Sequence, residues 1–259
     1  MSVAAARLFC LPYSGASAMI YARWRRLLPS WLAVQPVELP GRGMRMAEPL
    51  GTDPHRLAES LADEIRDGLD GPYALFGHSL GALLAFELAH ALLDRGARAP
   101  LVLFASGTEA PAVRDGRRWE SPRSDAELIA DLRGYQGTPE DALADAELMA
   151  LVLPVLRADF LMCGAYAHRP RPALPCPVHV LGGTRDDVAR PALEAWGRET
   201  AADFAIDLFD GDHFFIHARQ AEVLRVVDAS VSRRIHGGPA ASSRAGGSPP
   251  PAGRALLRA

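Results

Sequence analysis

The sequence predicts an α/β protein: a mostly parallel sheet with helices on both faces and a helical insertion late in the chain. Three observations carry this. Apolar runs of strand length alternate with longer segments of helical period up to Ser106. The runs are apolar at consecutive positions, as in strands covered on both faces. Between about 110 and 170 the strand signal vanishes, and it returns at Val178.

Residues 7–11 read as a buried strand and 12–17 as the loop after it. A helix is expected over 18–28. Residues 32–39 form a second strand, ended by Pro40-Gly41-Arg42-Gly43. In 53–69, Leu57, Leu61, Ile65 and Leu69 fall four apart on one helical face, with Asp53 suited to the N-cap and Pro54 to the first helical position. Residues 73–76 are a strand, 82–93 a buried helix and 101–106 a further strand. Arg117, Arg118, Glu120 and Arg123 make the start of the insertion polar. Helices at 125–132 and 145–160 then suit a lid over a site. A strand at 178–181, a helix at 191–200, a strand at 204–209 and a closing helix at 218–234 complete one domain, 1–236. Residues 237–259 turn to Gly, Pro, Ala, Ser and Arg and are expected to be a disordered tail.

The 259 residues suit one domain with an insertion, and a net charge of −3 gives no electrostatic case for nucleic acid or an anionic membrane. All 28 basic residues are arginine. Cys10, Cys163 and Cys176 show no paired spacing, which points to reduced thiols. The first 12 residues lack the pattern of a signal peptide, and no run approaches the roughly 18 apolar residues of a membrane span. A cytoplasmic monomer is expected.

The chemistry centres on Gly77-His78-Ser79-Leu80-Gly81, set between a strand and a helix. A turn that sharp needs φ above zero at its centre and small residues two positions either side, because strand and helix nearly touch. It presents Ser79 at a helix N-terminus, where free N–H groups stabilise an oxyanion. A serine hydroxyl needs a base, and the base needs an acid to orient it. On the α/β-hydrolase plan the order is Ser, acid, His. Gly182-Gly183-Thr184-Arg185-Asp186-Asp187 holds the acid position, with Asp186 preferred to Asp187. Gly211-Asp212-His213-Phe214-Phe215 holds the base, His213, with Asp210 and Asp212 as turn formers. His78 is expected to pack inside the turn. His213 and His217 lack the third ligand and shared helix of a zinc site, so no metal and no cofactor are expected. Leu80 N–H should supply one oxyanion donor and the loop after the first strand the other, from Ser14 or alternatively Tyr13. Leu148, Leu151, Val152, Val155 and Phe160 recur at helical spacing in the insertion. Val152 and Val155, with Tyr13 and Phe214 beside the catalytic candidates, are the expected substrate contacts.

Several segments in order resemble the type II thioesterases of polyketide and nonribosomal peptide synthetase pathways. They are Phe9-Cys10-Leu11-Pro12-Tyr13-Ser14-Gly15, then Tyr21 with Trp24, then Glu38-Leu39-Pro40-Gly41-Arg42-Gly43 with Arg45 and Glu48-Pro49. The Ser79 pentapeptide, Leu156-Arg157-Ala158-Asp159-Phe160, Asp186 with Trp196, and Gly211 to Phe215 follow. The family often has a second glycine at Ala16, methionine at Leu80 and proline at Asp187. The resemblance implies hydrolysis of acyl thioesters from the phosphopantetheine arm of acyl or peptidyl carrier proteins, clearing stalled groups from a synthase. It also implies that Arg42 either steadies the turn or meets the pantetheine phosphate. The other readings are a different serine hydrolase, esterase or acyltransferase, and a non-catalytic binding protein on the same scaffold.

Overall fold

A computed structural model describes residues 5–135 and 137–236; the expected tail, 237–259, lies outside the described residues. Six strands form one parallel sheet in the order β2-β1-β3-β4-β5-β6. They are β1 (Ala6–Leu11), β2 (Leu32–Pro36), β3 (Tyr73–His78), β4 (Leu103–Ser106), β5 (Val178–Gly183) and β6 (Phe204–Phe209). The helices are α1 (Trp24–Leu27), α2 (Pro54–Arg66), α3 (Leu80–Asp94), α4 (Asp125–Tyr135), α5 (Glu140–Ala144), α6 (Ala146–Ala165), α7 (Arg190–Glu194), α8 (Phe215–Ala218) and α9 (Gln220–His236).

The period of two along each strand sorts side chains between two cores. Phe9, Leu11, Tyr73, Leu75, Leu103 and Val180 face α2, α3 and the insertion. Leu8, Cys10, Ala74, Phe76, Phe104 and Leu181 face Tyr21, Trp24 and α9. Phe76 is fully buried, with Trp24 edge-on at 4.8 Å. Burying a side chain of that kind stabilises by roughly 1.5–3 kcal/mol. Helix α3 is buried from Leu80 to Leu92, because sheet, α2 and insertion enclose it. The cap at Asp53 forms as read, its side chain accepting from the His55 and Arg56 N–H groups.

Four expectations change. The helix expected over 191–200 is the five-residue α7 followed by a 3₁₀ turn (Ala195–Arg198). The helix expected over 18–28 is a 3₁₀ turn (Ala18–Tyr21) followed by the short α1. The insertion holds a third helix, α5, which is too short to show a period. Helix α6 is long and apolar enough, by length and composition alone, to cross a membrane, contrary to the expectation that no segment comes near. Half of that stretch is buried in the fold, and it carries the fully buried Asp159.

The chain order places the site. From β1 the sheet grows one way through β2 and the other way through β3, so the β1 and β3 C-terminal ends flank a crevice. The insertion returns to the sheet through residues 166–171, anchored on Glu87 of α3. That buried carboxylate accepts from Tyr166 Oη at 2.8 Å and Arg171 at 2.6 Å, and pairs with His55 Nδ1 at 3.0 Å. Burial raises its pKa, but Arg171 and Tyr166 outweigh burial and leave it below the usual carboxylate value.

Candidate active site

Ser79 joins β3 to α3 with φ 54°, the only non-glycine residue with positive φ among the described residues. The two flanking glycines are required by space. A Cβ on Gly77 would stand 1.9 Å from the Gly81 carbonyl oxygen, and one on Gly81 would stand 2.3 Å from that of Leu11. The turn therefore rests directly on the end of β1, and its backbone is locked by the Ser79 N–H donating to Ser106 O at 2.8 Å. Ser79 occupies the N-cap position of α3, yet its hydroxyl makes no capping hydrogen bond. It is half-buried and lines a narrow cleft with Tyr13, Ser14, Leu132, Tyr135, Leu156, Phe160, His213 and Phe214.

His213 lies after β6 and Asp186 after β5, on neighbouring strands. A Cβ on Gly183 would stand 2.5 Å from Asp212 O, so the two loops pack backbone to backbone. The Asp186 carboxylate holds His213 Nδ1 at 3.0 and 3.1 Å. Its side chain is 4% exposed, while Asp187 is exposed. With Nδ1 occupied, Nε2 is the His213 nitrogen left for the cleft. Asp212 accepts from Phe214 N–H at 2.8 Å, as a turn former would, whereas the Asp210 carboxylate is held by ion pairs with Arg185 and Arg219.

Beneath His213 lies His78, fully buried, its ring centroid 4.9 Å from that of His213 and its Nδ1 2.8 Å from Ser106 Oγ. Burial, with His213 and His217 nearby, holds its pKa well below the ordinary imidazole value, so it packs as a neutral floor. Tyr13 bridges this floor to the wall. Its ring meets His78 and Phe214 edge-on, and its hydroxyl lies 2.9 Å from His217 Nε2. Among the described residues no three His, Cys, Asp or Glu side chains cluster as metal ligands.

The cleft has two arms. One is apolar, between Leu132, Leu156, Phe160 and Phe214. The other is polar and runs past Thr108, Glu109, Arg114, Asp115 and Arg118. Tyr13 and Phe214 line the apolar arm as expected, but Val152 and Val155 line neither arm. Helix α6 is apolar around much of its circumference, so its spacing alone does not say which stripe meets the cleft. Val152 packs on the core, Val155 is buried, and Leu156 and Phe160 take the cleft face. Sequence reasoning also missed Leu132 and Tyr135; a lone Leu and Tyr on a weakly patterned helix carry no signal of a cleft.

Comparison with known proteins agrees with this architecture. The thioesterase domain model matches residues 6–231. The chain is 38% identical over 224 residues to the gramicidin S biosynthesis protein GrsT of Aneurinibacillus migulanus, covering 86% of this chain and 88% of that one. It is 38% identical over 222 residues to thioesterase PikA5 of Streptomyces venezuelae, covering 85% and 78%. The structure of BorB, the type II thioesterase from the borrelidin biosynthetic cluster, superposes with a TM-score of 0.81 at 36% identity, covering 89% and 95%. The chain belongs to the thioesterase family, on the α/β-hydrolase fold and within the type II group.

Proposed function

We propose that this thioesterase removes stalled or aberrant acyl groups from the phosphopantetheine arm of acyl or peptidyl carrier proteins serving a polyketide or nonribosomal peptide synthase. The observation that carries the reading is a single cleft lined both by Ser79, held at positive φ with its hydroxyl making no capping hydrogen bond, and by a His213 oriented by Asp186. The biosynthetic setting comes from the relatives, such as GrsT and BorB.

In this reading Ser79 Oγ attacks the thioester carbonyl and its proton passes to His213 Nε2. Asp186 keeps Nδ1 protonated and stabilises the imidazolium. The tetrahedral oxyanion takes the N–H of Leu80, at the first turn of α3, and that of Ser14. Collapse releases the pantetheine thiol, and water activated by His213 then cleaves the acyl-serine. The apolar arm suits the acyl chain, and the polar arm suits the amides of pantetheine. Arg42 does not meet a phosphate in this scheme, because its guanidinium is buried against Asp159. Three buried, unpaired cysteines fit a reducing cytoplasm.

Acyl-loaded carrier protein and a simple ester of the same acyl group, offered to the purified chain, test the reading. The carrier thioester should be hydrolysed with the larger kcat/KM, and mass spectrometry should trap the acyl group on Ser79. Faster turnover of the simple ester would favour the esterase reading. No acyl-enzyme and no hydrolysis would sink both.

A further inference from the structure

Helix α6 turns one continuous stripe, Leu156, Asp159, Phe160 and Cys163, toward the loop after β1. A Cβ on Gly15 would stand 3.2 Å from Leu156, and Cys163 Sγ lies 3.9 Å from Ser14 Oγ. Between them the Asp159 carboxylate accepts the Gly15 N–H at 2.7 Å and a two-pronged contact from Arg42 at 2.6 and 2.7 Å. Arg42 also reaches Ala16 O at 3.4 Å. The Asp159 and Arg42 side chains are 0% and 6% exposed.

Desolvating two charges offsets most of their attraction, so a buried pair of this kind is weak evidence for stability. Its partners point to a different role. Gly15 has φ 79°, and the bond to Asp159 fixes the Ser14–Gly15 peptide directly beside the cleft. We propose that Asp159, with Arg42 as its counter-charge, is a positioning residue for the oxyanion hole, holding the loop so that the Ser14 amide meets the developing oxyanion. This rests on the roles given above to Ser79 and Ser14. It also makes the C-terminal half of α6 part of the catalytic frame rather than of a moving cover.

The test uses the full chain and a short acyl thioester of N-acetylcysteamine. Asp159→Leu combined with Arg42→Leu removes both charges and fills the space with apolar groups, so it should melt higher than Asp159→Leu alone. Its kcat should nevertheless stay about 10²-fold below wild type with KM little changed, the scale of losing one oxyanion donor. A trifluoromethyl ketone analogue, whose adduct with Ser79 carries the oxyanion, should lose affinity in proportion. A non-hydrolysable thioether analogue should bind as to wild type. Recovery of kcat together with melting temperature would overturn the proposal, as would equal losses for both analogues. Should the double variant not fold, Asp159→Asn carries the same comparison. It keeps an acceptor for Gly15, so a loss within about tenfold, confined to kcat and the ketone, is expected; no loss, or one shared by the thioether, overturns the proposal. A wild-type chain without thioester hydrolysis would instead overturn the function on which the proposal rests.

Discussion

The turn around Ser79 and the helical insertion both face the cleft, and they are held in place by different physics. The turn is fixed by backbone against backbone, Gly77 on Gly81 and Gly81 on Leu11, and the Asp186 and His213 loops meet in the same way through Gly183 on Asp212. Such contacts leave no freedom and involve residues near one another in sequence or on adjacent strands. The insertion is held by side chains from distant parts of the chain. Asp159 meets Arg42 across 117 positions, and Tyr166 meets Glu87 across 79. At its outer part, Leu148 and Leu151 are 40% and 62% exposed. Rigid close approach suits chemistry that tolerates little misplacement. Longer, adaptable contacts suit a wall that shapes the choice of substrate.

The largest effect should come from the rigid side. Ser79→Ala is expected to lower thioester hydrolysis by about 10⁴-fold or more with the fold intact. A purified variant keeping a tenth of the activity would remove Ser79 from the chemistry.

Next in size, Asp186→Asn should reduce kcat by roughly 10³–10⁴, because the His213 tautomer is lost. Asp187→Asn, changing an exposed side chain, should stay within about threefold. Steady-state kinetics on both variants decide it, and the reverse order would mean the loop is held differently in solution.

The apolar side chains that line the cleft from the insertion, unlike the Asp159 support beneath them, should respond in selectivity more than in rate. Leu156→Trp or Phe160→Trp should shift the preferred acyl length toward shorter chains by about tenfold in relative kcat/KM, since one methylene is worth roughly 0.8 kcal/mol. Val152→Trp, away from the cleft, should change the profile much less. Identical profiles for all three would reduce the insertion to a cap.

The smallest effect concerns acid. Burial first, and Arg171 second, pull the His90 pKa down to about 4 from an ordinary 6.5. His78 is lowered in the same direction. A lowered folded value means that between those pH values the unfolded chain binds the proton and the native chain does not. This contribution to stability is therefore full above about pH 6.5 and declines as pH falls toward 4. Around the insertion, Arg117 lowers Asp115 to about 2, so that carboxylate stays charged through this window, and Arg133 lowers Glu140 in the same direction. Melting temperatures between pH 7.5 and 5 should fall for wild type and fall less for His90→Gln; parallel slopes would refute the assignment.

The same division governs what could be read from the sequence. The Ser79 turn, the strand order of events and the Asp186 and His213 loops are local patterns of glycine, apolar runs and turn residues. They appear in the structure where the periods and motifs put them. Helix existence in the insertion was equally legible for α4 and α6. The face α6 presents was not, because it is apolar at Leu153, Val155, Leu156 and Phe160 alike. Nor was the partner of Arg42, since nothing local distinguishes Asp159 from any other acid on a helix. His78 was legible as a packing residue, but its place directly beneath His213 depends on the β1, β3 and β6 loops converging.

One consequence of the left-handed backbone at Ser79 reaches beyond catalysis. A side chain held at φ 54° carries a conformational penalty on the order of 1 kcal/mol that glycine would not. Ser79→Gly is therefore expected to melt at or above the wild-type temperature while catalysing nothing. Any search for hardier variants that scores only heat resistance will be drawn to replace the residue on which the proposed chemistry depends.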